Sequence, residues 1–270
     1  MNFIIANFLN LHYIYTKTMI ETAKNTAKKA GKFLLENFKK DELLFAERQM
    51  SKEIVTRYDI ESDKIIKKEL ENAFPEHNLM TEESGVIDKD NEYTWIVDSL
   101  DGTGNFASGN PFFSVSIALS KRNKVILGVV YAPYLDELYF AEKNKGAFLN
   151  GKKISVSTIG KISDSYIVTC EGGSKNNKRL AEIYSNIYPK IKDMRKLGSA
   201  AIEGGFVASG RADGYITLQI DPWDVAATVL ITKEAGGKAT DFNGNPWRVE
   251  RSDLVISNTA LHDDILNNLI

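Results

Sequence analysis

Apolar and small residues recur at helical spacing from Ile20 to Phe38, through Ala23, Ala27, Ala30, Phe33, Leu34 and Phe38, with lysines on the opposite side. The pattern predicts one amphipathic helix whose charge run is a solvated face. A short strand is expected around Leu43 to Ala46. The stretch EIVTRYDIESDKIIKKELENAFP then sets a short extended piece before a helix ending near Pro75. In that helix Asp59 is the candidate cap, Asp63 lies in the first turn, and Ile60, Ile65, Ile66, Leu70 and Phe74 form the buried side. HNLM reads as a strand running into Glu82, Glu83, Ser84 and Gly85, and Trp95, Ile96 and Val97 as the end of a buried strand.

Downstream, FFSVSIALS, KVILGVVYAP and ELYFAEKNKGAFLNG alternate as consecutive strands, with tight turns at Arg122-Asn123 and Asn144 to Gly146. They predict an antiparallel meander with one face packed on helices. From DSYIVTC onward the pattern alternates between periods. It gives a strand, the loop EGGSKNN, the helix RLAEIYSNIYPKI, the strand-like RKLGS, a small-residue helix AAIEGGFVASG and the strand ADGYITLQI. A helix opened by Asp221-Pro222-Trp223-Asp224 and closed by Gly236-Gly237 follows, then KATDFNG, DLVISN and a terminal helix from His262. The natural division is an N-terminal extension at 1–18, an α+β subregion at 19–155 and an α/β subregion at 156–270, joined as one continuous fold with its acids at the junction.

At 270 residues, 43% hydrophobic and 26% charged, the chain has the size and make-up of an ordinary globular domain. A net charge of −2 leaves no basic footprint for nucleic acid or an anionic membrane, so any phosphate chemistry must be local. One cysteine, Cys170, excludes an intrachain disulfide framework and fits a reducing, cytoplasmic setting, where it reads as a buried strand thiol. Only His12, His77 and His262 are present, which argues against a histidine-rich zinc centre; His77, after Pro75, reads as a surface residue. The leader MNFIIANFLNLHYIYTKT lacks a basic n-region and a cleavage site and is too short to span a bilayer, so neither export nor membrane insertion is expected.

Chemistry concentrates in WIVDSLDGTGNF, residues 95–106. An extended backbone would hold Asp98 and Asp101 about 10 Å apart on opposite faces, so a shared site needs a turn, for which Gly102 is suited. Two carboxylates brought together repel until one is protonated or a cation sits between them, and an all-oxygen set suits a hard ion such as Mg²⁺. The amides of Gly102, Thr103 and Gly104 would offer an anion site beside it. The bland alternatives are a capped turn for this stretch, an N-cap for Asp59 and a helix-dipole partner for Asp224. Glu82 joins the set because open α/β sheets place sites at the carboxyl ends of strands.

Four segments in this order and spacing, EES at 82–84, WIVDSLDGTGNF at 95–106, LGSAA at 197–201 and PWDVAA with EAGG within 222–237, resemble the inositol monophosphatase family of Mg²⁺-dependent, lithium-sensitive sugar-phosphate phosphatases. The resemblance implies a sugar-phosphatase fold: α+β and α/β regions in alternating α-β-α-β-α layers, with antiparallel and mixed sheets. It implies two or three Mg²⁺ ions, replaceable by Mn²⁺ and opposed by Li⁺, on Glu82, Asp98, the Leu100 carbonyl, Asp101 and Asp224. Thr103, Asp59 and Glu82 are then the water-orienting catalytic group. Asp101, Gly102, Thr103, Gly198, Ser199, Ala200 and Asp224 face the substrate, and the partner is a second copy in a homodimer. Inositol 1-phosphate is the first substrate expected and fructose 1,6-bisphosphate the second, ahead of 3′-phosphoadenosine compounds. An inactive metal-binding scaffold is the non-enzyme alternative. Two positions depart from the family pattern: Ser99 stands where Pro is common, and Thr217 where an acid contacts inositol hydroxyls.

Overall fold

A computed structural model describes residues 2–40, 57–171, 177–250 and 253–269; of residues 2–17 it describes the backbone alone. The strand expected at Leu43 to Ala46, the residues just before Arg57 and most of the EGGSKNN loop lie outside the described residues.

Helix α1 runs as one element over Asn2–Asn37, and from Met19 on it buries Ala23, Ala27, Ala30 and Leu34 along the predicted stripe. Helix α2 spans Arg57–Ala73. Asp59 is therefore the third residue of the helix and not its cap, and it is buried together with Tyr58, Asp63, Ile66 and Leu70, whereas Ile60 is exposed. The buried face is thus rotated away from Ile60, because Asp59 and Asp63 turn inward with the core side. His77 is also corrected: it is buried between Phe74 and Tyr93, with ring centroids 5.0 and 4.9 Å away.

Strands β1 (Asn78–Thr81), β2 (Gly85–Ile87), β3 (Tyr93–Asp101), β4 (Ser114–Lys121), β5 (Lys124–Ala132), β6 (Glu137–Glu142), β7 (Ala147–Leu149) and β8 (Lys152–Ile154) form one sheet, with helix α3 (Thr103–Ser108) after β3. Their order is β2-β1-β3-β4-β5-β6-β7-β8; β1 lies parallel to β3 and the neighbours from β3 onward are antiparallel. The meander is as predicted, but its centre is covered on both faces, and Ser114 to Ser120 on β4 are all buried. The polar positions taken for a solvated face are serines whose hydroxyls find partners inside.

The second sheet holds β9 (Tyr166–Glu171), β10 (Asp193–Arg195), β11 (Gly214–Leu218), β12 (Lys238–Thr240) and β13 (Leu254–Ser257) in the order β10-β9-β11-β13-β12. Between the sheets lie α5 (Ala200–Ala208) and α6 (Pro222–Glu234), while α4 (Asn177–Ile187) and α7 (His262–Leu266) cover the far face. With α1 and α2 against the first sheet, the layers run α-β-α-β-α. A middle helix touched on all sides cannot be amphipathic, and α6 buries every residue from Val225 to Thr232. The two middle helices also cross closely: a Cβ at Gly204 would lie 2.2 Å from Thr228 Oγ1, so that position admits only glycine. Among the described residues no helix is long and apolar enough to cross a membrane.

Candidate metal centre

The site forms at the carboxyl ends of the parallel pair β1 and β3, where the N-termini of α5 and α6 meet them. Asp98 pairs with Ser116 and Asp101 with Ser114, so β3 uses one more residue than β4 between those pairs. That bulge reverses the alternation of faces, and Asp98 and Asp101 come to lie on one side of the sheet as Ser116 and Ser114 do. The expected turn at Gly102 is present too. Gly102 has φ of +87°, and a Cβ there would sit 2.7 Å from the Phe112 carbonyl oxygen. The bulge, which carries the geometry, left no mark that Gly102 did not already give.

Helix α2 is pinned across the bulge by two reciprocal bonds: Ser62 Oγ donates to the Ser99 carbonyl at 2.8 Å and Ser99 Oγ to the Asp59 carbonyl at 2.9 Å. A proline at 99 could not make the second bond, so Ser99 is an anchor in this chain. With α2 so placed, Asp59 Oδ1 accepts from Thr103 Oγ1 at 2.8 Å, and the same hydroxyl lies 3.0 Å from the Leu100 carbonyl oxygen. Asp98 Oδ1 accepts from Leu100 N at 2.9 Å.

Asp224 arrives from α6, where it forms a capping box with Asp221, whose amide donates to Asp224 Oδ2 at 3.1 Å. The helix-terminus role and the site role coexist, since a carboxylate has two oxygens. Ser116 Oγ donates to the Trp223 carbonyl at 3.1 Å and fixes this end of α6 to β4. Glu82 continues β1 beside β3, its amide bonding the Val97 carbonyl at 3.2 Å.

Glu82, Asp98 and Asp224 each present an oxygen within 4.8 Å of the others. Asp101 does not join that trio. Its Oδ2 accepts from Ser114 Oγ at 2.8 Å, from Ala201 N at 3.1 Å and from Ser199 Oγ, and its Oδ1 from Ala200 N at 2.9 Å. The loop of Gly198, Ser199 and Ala200 is thereby bound to the acid cluster from the other half of the chain. Two residues that sequence reasoning passed over hold this loop. Asn105 Nδ2 donates to the carbonyls of Phe112 at 2.6 Å and Leu197 at 2.7 Å, and Glu203 receives the amides of Leu197 and Gly198. A glutamate inside the small-residue run AAIEGG was the available signal for the second.

Electrostatics shows what the trio lacks. Burial pushes the Asp98 carboxyl well up, and the charges of Glu82, Asp101 and Asp224 push further. Asp224 rises for the same reasons, burial first and then Asp101 and Glu82. Glu82 is raised to about 7 by loss of water around its carboxyl and then by Glu83. Glu83 is likewise raised to about 7 by burial, Asp59 and Asp63. Among the described residues every charge that acts on the trio in these shifts is another acid, and a bound cation would supply the counter-charge. An all-oxygen set of three converging carboxylates fits a hard divalent cation.

A model of the inositol monophosphatase family matches residues 16–269. The fructose-1,6-bisphosphatase/inositol-1-monophosphatase of Aquifex aeolicus is 38% identical over 254 residues, 93% of this chain and 94% of that protein. The Nus factor SuhB of Escherichia coli K12 is 34% identical over 256 residues, 93% of this chain and 95% of that protein. Among solved structures, the extragenic suppressor protein suhB from Bartonella henselae matches with a TM-score of 0.87 at 31% identity, covering 93% of this chain and 98% of that one.

Proposed function

The chain belongs to the inositol monophosphatase family, and from that premise we propose that it is a Mg²⁺-dependent phosphomonoesterase acting on a small phosphorylated polyol or sugar. The observation that carries the reading is the convergence of Glu82, Asp98 and Asp224 within 4.8 Å with only acids to balance them. Mg²⁺ held by these carboxylates and the Leu100 carbonyl, with Asp101 adjoining, would supply the positive charge that phosphoryl transfer draws on.

The chain's own residues do the rest. Thr103 gives its hydroxyl proton to Asp59 at 2.8 Å. Its oxygen then has only lone pairs left to offer, so it accepts a hydrogen bond from an incoming water and fixes that water's orientation. Glu82, with a carboxyl raised to about 7, is the nearby group suited to draw a proton from the same water. The amides of Gly102 and Thr103 face the phosphoryl oxygens. The turn of Gly198, Ser199 and Ala200 faces the alcohol half of the ester, carried there by its bonds to Asp101.

Inositol 1-phosphate remains the first substrate to try and fructose 1,6-bisphosphate the second, in keeping with the double name of the Aquifex aeolicus relative. Thr217 is fully buried and does not present itself to a ligand, which weakens the case for inositol over a sugar phosphate. Relatives named Nus factors supply a second reading, in which binding of a partner stands beside catalysis and the expectation of no nucleic-acid partner fails. The complete acid set favours catalysis. Phosphate release should be measured on inositol 1-phosphate, fructose 1,6-bisphosphate and a 3′-phosphoadenosine compound, with Mg²⁺ and then with added Li⁺. Turnover of one of the first two that Li⁺ suppresses is the expected result; no turnover of any of the three would remove the enzymatic reading.

A further inference from the structure

Glu203 is the fourth residue of α5 and wholly buried, in a helix whose other inward positions are Ala, Ile and Gly. A carboxyl is among the least favourable groups to bury, and packing alone asks only for another small apolar residue there. One of its oxygens is fully used. Oε1 accepts from Leu197 N at 2.6 Å and from Gly198 N at 3.2 Å, which lie six and five residues back along the chain. The other oxygen, Oε2, has no hydrogen-bond partner among the described residues.

The surroundings explain why that oxygen is tolerated. Tyr215 and Thr217 alternate onto one face of β11, and Thr217 is in register with Cys170 on β9. The Tyr215 hydroxyl and Thr217 Oγ1 are likewise buried, and Thr217 acts on the Tyr215 hydroxyl as its polar neighbour on that face. Burial first, and then the charges of Cys170 and Glu203, hold the Tyr215 proton on. Burial also pushes the Glu203 carboxyl well up, with its two backbone bonds and Lys196 pulling the other way. A carboxyl that keeps its proton brings no charge into these buried surroundings, which limits the cost of leaving Oε2 unpartnered.

The two amides that Glu203 holds begin the turn that delivers Ser199 to the N-cap of α5. Ser199 Oγ, Ala200 N and Ala201 N all donate to Asp101. From the other side, Asn105 holds only the Leu197 carbonyl. Glu203 is therefore the one side chain among the described residues that fixes both amides of the turn.

We propose that Glu203 is a positioning residue: by gripping the Leu197 and Gly198 amides from inside the core, it sets the turn that meets the alcohol half of the substrate. It acts through the turn and touches neither phosphate nor metal. The proposal rests on the phosphatase reading for its kinetic consequence, while its structural half stands on hydrogen bonds that can be measured without substrate.

The test compares Glu203→Gln and Glu203→Met in the full chain. Glutamine keeps a carbonyl oxygen for the two amides and gains donors for the neighbouring hydroxyls. Methionine keeps the volume and loses the acceptor. In the methionine variant, amide hydrogen exchange at Leu197 and Gly198 should speed up by roughly tenfold or more while the rest of α5 is unchanged. KM for the ester that the enzyme turns over should rise by roughly tenfold, with kcat within about threefold, as befits contacts remote from the reacting atoms. The thermal midpoint should change little, because removal of the unpartnered Oε2 offsets the two amides' loss of their acceptor. Glu203→Gln should restore the exchange pattern and KM to within about twofold of the parent. Parental exchange and KM in the methionine variant would overturn the proposal. So would exchange that rises evenly along α5 with a falling midpoint, since that marks an ordinary core residue. Absence of turnover in the parent protein speaks against the function alone, because exchange at Leu197 and Gly198 still decides the role of Glu203.

Discussion

Asp101 and the trio of Glu82, Asp98 and Asp224 lie side by side and are balanced in opposite ways. Asp101 receives four donors from the chain itself, two serine hydroxyls and the first two amides of α5, where the helix dipole adds its own positive end. Burial raises its carboxyl, but each of those bonds works against the rise. Asp98 and Asp224 each have one backbone amide and otherwise face carboxylates. The first arrangement is self-sufficient and joins the two halves of the fold. The second is incomplete among the described residues, and a cation would supply the missing charge. A carboxylate in this molecule is structural or functional according to who provides its counter-charge.

Substituting Asp98→Asn should break that contrast most severely. Kcat/KM for the ester should fall by roughly a thousandfold, about 4 kcal/mol of transition-state stabilisation. The metal-free protein should unfold at the same temperature or higher, because one member of a repelling group has gone. Steady-state kinetics beside a thermal melt in chelator checks both halves. A large loss of stability in the metal-free variant would mean that Asp98 is held as Asp101 is.

Asp101→Ala should show the opposite signature, with metal-free stability falling by about 3 kcal/mol as buried serine hydroxyls and α5 amides lose their acceptor. Activity falls as well, since the turn at 197–200 is no longer tied to β3. Denaturant unfolding of the metal-free protein separates this variant from Asp98→Asn, and equal stabilities would erase the distinction between the two groups.

Most elements were readable from period-2 and period-3.6 patterns, whereas their stacking in layers was implied by the family resemblance. The errors fall where tertiary contacts override local pattern. Ile60 fits the apolar stripe of α2, yet Asp59 and Asp63 take the inward positions, because Thr103 donates to the Asp59 carboxylate and Ser84 to that of Asp63, both from outside the helix. His77 follows Pro75 in a polar stretch and is nonetheless stacked inside, since β3 brings Tyr93 against it from later in the chain. The acids of the site were legible by type and order. What could not be read was their division of labour, because the donors to Asp101 come from Ser199, Ala200 and Ala201, about a hundred residues on. Glu203 stood out in its small-residue run, but its role was hidden for the same reason: the run does not say which groups its carboxyl would hold.

The smallest expected effect concerns acidity and is the most direct measure of the missing counter-charge. Glu82 and Glu83 have carboxyls raised to about 7 in the folded metal-free protein, above their unfolded values near 4.5, and burial with neighbouring carboxylates raises Asp98 and Asp224 as well. Between those limits the folded state binds more protons than the unfolded one, so stability falls as pH rises. The stabilising contribution is complete below about pH 4.5 and is lost as pH climbs through about 7. A cation that binds the ionised cluster reverses the trend at its upper end. At ten times its dissociation constant, Mg²⁺ should add about 1.4 kcal/mol at pH 8, roughly 3 °C in the thermal midpoint, and much less at pH 5, where protons occupy the oxygens. Melting curves with and without Mg²⁺ across this range provide the measurement. A Mg²⁺ shift that is equal at both pH values, or absent at pH 8, would mean that the three carboxylates do not hold the ion together.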